Sequence, residues 1–400
     1  MLGTVTAALT FVGRMPIAHG SEAVDYLNAP VVETQVFDWG HRPAWSPDGT
    51  KLAFLGLQHH FGAGYAYELD LATGEVRCLT CHLENGSVLR VYYLPDGSFL
   101  FQAPATPLYP TSPVDTSIPE HFNCAVAGRE HQLGMGTDDV SGLFRCELYW
   151  LPATLEGPLQ PLGVHSFEEA AIDPSSSRIS WVVPASAATP DWQIWIGELV
   201  HDGQQAQLVS RQQVLTTFPA SVVEPPLLAW IEVMDFFVER DAVLLYARLV
   251  GPENQGDGEV LELDLTTGVL TNHSHNPAHK EAHLFFPDDT FGLNERDGGL
   301  WALRLDGTGE HTRRFADGIG AVSSPEGRRV AYAKETAGPG ALWVATFDSD
   351  AAGPVGDGPS SNGTIQPRAT SHPATGSAGH VVGFALLVLA FVTRSAVDPG

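Results

Sequence analysis

Basic residues are scarce in this chain. Its 400 residues carry 21 Lys and Arg against 47 Asp and Glu, a formal net charge of −26 at pH 7. A surface of that sign repels phosphate, which excludes nucleic acid as a partner and disfavours anionic membrane surfaces. It suits solubility outside the cell; an acidic patch that recruits a cationic partner is the sharper alternative. Cysteine is scarce too, with four residues. Cys78 and Cys81 form one C-x-x-C, and no second pair exists to complete a structural zinc site, so they are either a local disulfide or two free thiols. A Cys124–Cys146 bridge would close a loop of about 20 residues and stabilise the chain by roughly 3 kcal/mol in the chain-entropy model. The apolar run Val381 to Val392 falls short of the ~20 residues that a transmembrane helix needs. There is no G-x-S-x-G, Walker A motif, G-x-G-x-x-G or EF-hand loop, and no nucleophile stands at a recognisable spacing from a base.

What the chain does have is a repeat. His41 to Phe54 reads HRPAWSPDGTKLAF: a strand, a tight turn and a second strand. Pro47 presets φ at the first central turn position and Gly49 accepts a positive φ. Leu52 and Phe54 then alternate at the period of a half-buried strand. Tyr93 to Phe101 is a second copy, and Ile172 to Trp181 a third. Phe285 to Asp289 and Ser324 to Tyr332 are two more. A weaker one spans Phe236 to Tyr246, where Glu239-Arg240-Asp241 replaces the turn. A second element follows within the unit. Tyr67-Glu68-Leu69-Asp70-Leu71-Ala72-Thr73-Gly74 reappears at Leu261 to Gly268 and again at Leu303 to Gly309. Each is an alternating strand ended by Asp and a Gly-containing turn. The unit is therefore four antiparallel strands, and its spacing of about 40 to 75 residues is that of propeller blades.

These residues resemble the TolB-type β-propellers, whose repeat is a strand, an S-P-D-G turn, a strand, and then Y-x-L-D-x-x-T-G. The resemblance runs over residues 28–348, strongest at 41–101 and 259–347, and Ala66 to His82 looks like a poorly characterised secreted-type branch. It implies an all-β fold: a six-bladed propeller of four-stranded antiparallel blades. The blades would span about 40–80, 88–163, 165–215, 228–273, 281–315 and 319–347. The N-terminal strand Val31 to Phe37 would supply the outer strand of the last blade and close the ring. Such a fold is nearly silent about function. Related propellers with oligogalacturonate lyase activity carry a metal-binding His-Pro-His where this chain has Glu281-Ala282-His283, half of that pattern.

Outside the ring, residues 1–27 read as a weak leader, with Arg14 breaking the apolar run. Residues 349–379 read as a disordered Gly/Pro/Ser-rich stalk. Residues 380–400 resemble a GPI-attachment signal, although Thr393 to Gly400 is polar; a buried or frayed end is the alternative. The sequons at Asn85, Asn272 and Asn362 fit secretion, as chance alone would also supply them. Residues 103–141 form a long insertion placed to cover one mouth of the ring as a lid.

If the first strand of each blade lines the channel, alignment on the turns puts His41, Leu89, Glu168, Glu281 and Ile319 at one level. Pro43, Val91, Ala170, His283 and Ala321 lie two residues on, with Glu232 and Asp235 as blade 4 candidates. By the same alternation Arg42 and Arg90 would point into a blade. His41, Glu168, Glu232, Asp235, Glu281 and His283 are thus the candidate ligand contacts. His273, His275, His279 and His283 have a spacing that would suit a transition metal, or else mark a polar loop. No catalytic residue is assigned and no cofactor is expected, a divalent metal being the alternative. The leading expectation is a secreted or surface-anchored monomeric propeller that binds a small molecule, carbohydrate or protein at the channel mouth. The rivals are a metal-dependent polysaccharide lyase and a protein–protein scaffold.

Overall fold

The computed structural model describes residues 24–56, 64–83, 87–104, 146–166, 169–184, 192–215, 228–249, 258–276, 278–285, 289–334 and 340–347. They form 25 strands and no helix. After β1 (Val31–Phe37), blade 1 comprises β2 (His41–Trp45), β3 (Lys51–Leu55), β4 (Gly64–Asp70) and β5 (Val76–Cys78), with β6 (Ser87–Val88) paired to β4. Blade 2 is β7 (Arg90–Tyr93), β8 (Phe99–Pro104), β9 (Cys146–Leu151) and β10 (Gln160–His165). Blade 3 is β11 (Ala170–Ile172), β12 (Arg178–Pro184), β13 (Trp192–His201) and β14 (Ala206–Leu215). Blade 4 is β15 (Leu228–Phe236), β16 (Ala242–Leu249), β17 (Gly258–Asp264) and β18 (Leu270–Asn272). Blade 5 is β19 (Lys280–Leu284), β20 (Phe291–Arg296), β21 (Gly299–Arg304) and β22 (His311–Phe315). Blade 6 is β23 (Ile319–Ser323), β24 (Arg329–Lys334) and β25 (Ala341–Phe347), and its fourth strand is β1. The six-bladed ring closed by the N-terminal strand is therefore as the repeat predicts.

The turn chemistry is as the residues dictate. Asp48 Oδ1 accepts from the Ser46 hydroxyl at 2.6 Å and from Thr50 N at 3.1 Å. These bonds hold its carboxyl below the usual carboxylate range. Gly49 sits at φ 67°, which a side chain would resist. At the outer turn, Asp70 Oδ1 caps Ala72 N and Thr73 N at 3.0 and 2.9 Å, and Asp264 Oδ1 does the same for Thr266 N and Thr267 N at 2.9 and 2.7 Å.

The apolar faces meet between blades, because a single blade cannot bury its own. Phe99 and Phe101 of blade 2 pack with Ala53 and Leu55 of blade 1, and Leu148 and Trp150 of blade 2 with Ile179 and Trp181 of blade 3. Ile194 meets Val243 and Leu245 between blades 3 and 4, and Tyr246 meets Leu284 and Leu303 between blades 4 and 5. Leu300 and Phe315 of blade 5 join Val330 and Tyr332 of blade 6. Phe54 and Leu69 against Leu342, with Trp45 against Ala331, complete the circuit from blade 1 to blade 6. The segment before β1 is pinned at the junction of blades 5 and 6. Tyr26 stacks on Phe285 with centroids 4.0 Å apart, its hydroxyl donates to Gly327 O, and Arg314 Nη1 donates to Leu27 O at 2.7 Å.

Candidate functional site

The first strands of the blades form the innermost layer, and their charged side chains meet across blade boundaries. Arg90 in β7 pairs through Nη2 with Glu169 Oε1, just before β11, at 2.7 Å. Both side chains are nearly closed to solvent, at 4% and 7% exposure. The other oxygen of that carboxylate, Oε2, lies 3.8 Å from His283 Nε2 in β19, beyond hydrogen-bond reach. On its far side His283 Nδ1 is 3.1 Å from Asp235 Oδ2 in β15. A carboxylate can only accept, so the imidazole proton there sits on Nδ1. Asp235 Oδ2 also accepts from Leu284 N at 2.8 Å, which fixes the carboxylate against β19. One chain of charges, Arg90–Glu169–His283–Asp235, thus ties together blades 2, 3, 5 and 4. Glu232, three residues before Asp235 on the same strand, is also buried at 4% exposure.

Alignment on the turns names His283, and Asp235 stands among the blade 4 candidates; the same alternation points Arg90 into a blade, whereas the structure pairs it with Glu169, which the alignment does not name. The blades differ in their backbone at this level. Arg42, Arg90, Glu169 and Gly320 each stand five residues before the turn proline. At that offset blade 1 has Arg42 at φ 52° and blade 6 has Gly320 at φ 59°, and both strands slip register there, between His41 and Ala44 and between Ile319 and Val322. A left-handed residue in a strand adds a bulge and re-aims the side chains before it, so strict alternation fails in blades 1 and 6, whereas β7 keeps an unbroken register from Arg90 opposite Gln102 to Tyr93 opposite Phe99. A signal was present in the repeat: charges of both signs recur at one offset from the proline.

The remaining candidates are dispersed. His41 is buried between blades 1 and 6, where its Nε2 accepts from Gly340 N at 3.2 Å. Glu168 lies outside the described residues, and so does the side chain of Glu281, whose backbone belongs to β19. Of the imidazoles, His273 Nε2 is 2.9 Å from Glu262 Oε2, which Arg240 also grips at 2.8 and 2.9 Å. Burial opposes ionisation of Glu262, yet the bonds from His273 and Arg240 outweigh it and hold its carboxyl below the usual range. His275 is exposed at φ 47°, its N–H donating to Asn272 Oδ1 at 3.0 Å. His279, fully buried, meets Asn294 Oδ1 through Nδ1 at 2.7 Å. Among the described residues no three His, Cys, Asp or Glu side chains converge in a way that could hold a metal ion, so the imidazole run does not fit the metal centre its spacing allows. Cys78 and Cys81 are bonded to each other. Cys124, the side chain of Cys146, Asn85, Asn362, most of the 103–141 insertion, residues 1–23 of the leader and the C-terminal stalk and tail lie outside the described residues, while Val24, Tyr26 and Leu27 at the leader's end are buried against blades 5 and 6. Asn272 ends β18 half-buried, its Oδ1 engaged with Ser274 N at 3.1 Å.

No family model and no curated protein matches the chain. Solved structures do. An oligogalacturonate lyase in complex with manganese is 12% identical at a TM-score of 0.44, over 82% of this chain and 96% of its own. A protein of Agrobacterium tumefaciens assigned as TolB is 11% identical at 0.44, over 80% and 98%. A gluconolactonase of Xanthomonas campestris is 11% identical at 0.46, over 80% and 90%. At these identities the likeness is one of fold, and the fold stands on the strand pairing itself.

Proposed function

We propose that this propeller is a binding protein whose small-molecule ligand sits at the end of the central channel, against Arg90, Glu169, Asp235 and His283. The observation that carries this reading is the placement of those charges. Burying an ion pair returns little net stability, and well-packed apolar residues of similar volume often do as well or better. Three buried groups and the half-buried Asp235, brought in by or next to the innermost strands of four blades, are therefore more than a fold of this kind requires. Their side chains offer a guanidinium, two carboxylates and an imidazole within one small volume. That set recognises a polar ligand through charge-assisted hydrogen bonds. The Cys78–Cys81 bond fits an oxidising compartment, in line with a secreted or surface-attached protein.

The test is a thermal-shift screen of small polar metabolites against the full chain. A ligand of this site raises the wild-type Tm, and both His283→Ala and Asp235→Asn abolish the shift while remaining folded. Shifts that persist in both variants would remove the site from consideration. Formation of an unsaturated product from acidic oligosaccharides would instead favour a lyase.

A further inference from the structure

Among the described residues of the channel, Arg42 is a cation with no ion-pair partner. Arg42, on β2, is buried at 8% exposure. Its Nη1 donates to Leu89 O at 2.9 Å, on the neighbouring inner strand and next to Arg90. Its Nε has no hydrogen-bond partner. Among the described residues no carboxylate lies within ion-pair distance of it, whereas Arg90, at the same offset from its turn proline, is neutralised by Glu169. A guanidinium withdrawn from water without a counter-ion is destabilising, since a neutral side chain could occupy the place without that cost. The backbone adds to the conflict. Arg42 holds φ 52°, a conformation disfavoured for any residue with a Cβ, while the equivalent residue of blade 6 is Gly320. An ideal Cβ on Gly320 would meet only ordinary contacts, the nearest being Arg42 Cα at 3.6 Å, so the backbones of the two inner strands pass side by side there. Strain and unpaired charge held together at one residue of the channel point to function, because a sequence free of constraint would have glycine here too.

We propose that Arg42 is a ligand-binding residue, and that the ligand it reads carries a carboxylate. The planar guanidinium, with Nη1 fixed on Leu89 O and Nε unpartnered, keeps N–H groups that a planar carboxylate would satisfy with two parallel hydrogen bonds. The charge of Arg90, by contrast, is already matched by Glu169. This inference rests on the channel reading above and names the chemical class of what enters.

The experiment titrates acetate, malonate, tartrate and inorganic phosphate into the full-length protein at constant ionic strength, with chloride as the matched control, and follows Tm. At least one carboxylate should stabilise the wild type saturably, and Arg42→Gln and Arg42→Gly should weaken that binding by about tenfold to a hundredfold. In anion-free buffer both variants should melt at or above the wild-type temperature, since each removes an uncompensated charge and Arg42→Gly also relieves the left-handed backbone. Carboxylate stabilisation no greater than that of chloride, or retained in both variants, overturns the proposal. So does a lower anion-free Tm in both variants, which would make Arg42 a structural cation, and so does stabilisation by phosphate alone. The channel reading fails differently. A metabolite that needs His283 and Asp235 but binds Arg42→Gln normally would leave that reading standing and sink this one. Carboxylate binding through Arg42 that is indifferent to His283→Ala and Asp235→Asn would do the reverse.

Discussion

His279 shows how much one buried side chain can say about conditions. It is fully buried in blade 5, its ring edge-on to His311 with centroids 5.6 Å apart. Nδ1 meets Asn294 Oδ1 at 2.7 Å, and Arg296 Nη1 lies 2.9 Å from His311 Nε2 beside it. Burial drives the His279 value down from 6.5 to about 4; the Asn294 bond and the more distant Asp297 oppose this, and the positive field of Arg296 and His311 adds to it. The folded value lies below the unfolded one, so the contribution is complete above pH 6.5 and is lost as pH falls through 6.5 towards 4. The loss amounts to about 3 kcal/mol. His279→Gln keeps a donor for Asn294 and removes the proton site. It should cost stability at pH 7 yet flatten the fall between pH 6.5 and 4 in urea titrations; parallel wild-type and variant curves would refute the assignment. The sequence shows His279 only as one of four spaced imidazoles, because spacing cannot say which ring is walled in. The repeat likewise names Asp235 and His283 but not the Arg90–Glu169 pair, since a contact between blades 2 and 3 leaves no local mark in either segment.

Between blades, the departures from the repeat prove to be matched. Blade 4 lacks Pro-Asp-Gly and carries Glu239-Arg240-Asp241 instead. Blade 5 has Asp289 where the motif has Gly. Asp289 is buried at 4% exposure, and its carboxylate accepts from Val238 N at 2.8 Å and Glu239 N at 2.6 Å in the blade 4 turn. The acceptor that a turn's own aspartate supplies elsewhere is here lent by the next blade. Burial raises the Asp289 carboxyl, against the two backbone bonds that lower it. Asp289→Ala strands two buried N–H groups and should destabilise the protein by about 2–3 kcal/mol, with Asp289→Asn, which keeps one acceptor oxygen, costing roughly half as much. The urea midpoint measures this, with an unchanged m-value showing that the same surface unfolds. A change under about 0.5 kcal/mol for Asp289→Ala would mean the staple carries no weight. Turn residues and alternating strands were legible because each is a local constraint with a local cause. A bond lent across a blade boundary is not, since nothing in Val238-Glu239-Arg240 names its donor-acceptor partner fifty residues on.

At the scale of the ring, five of the six blades are, among the described residues, built from strands consecutive in the chain. The exception is the last blade, where β1 pairs antiparallel with β25 from Val31 opposite Phe347 to Phe37 opposite Leu342. This closure was readable in advance, because an alternating strand with no partner of its own precedes the first blade. It is also where the ring can open with the smallest loss, since peeling β1 exposes one sheet edge and leaves five blades intact. Tyr26, Arg314 and the Glu33 carboxylate, which accepts from the Tyr332 hydroxyl at 2.6 Å, hold that seam with side chains as well as backbone. Val32 and Thr346 face each other in register and are both exposed, so a disulfide joining them would clasp the seam without disturbing the core. If release of β1 begins unfolding, the Val32→Cys, Thr346→Cys double variant should melt higher when oxidised than when reduced, by a margin near the ~3 kcal/mol of a typical stabilising disulfide. It should also lose the protease sensitivity of residues 24–37 at temperatures below Tm. If the clasp forms and neither quantity changes, unfolding starts inside the ring and not at its seam.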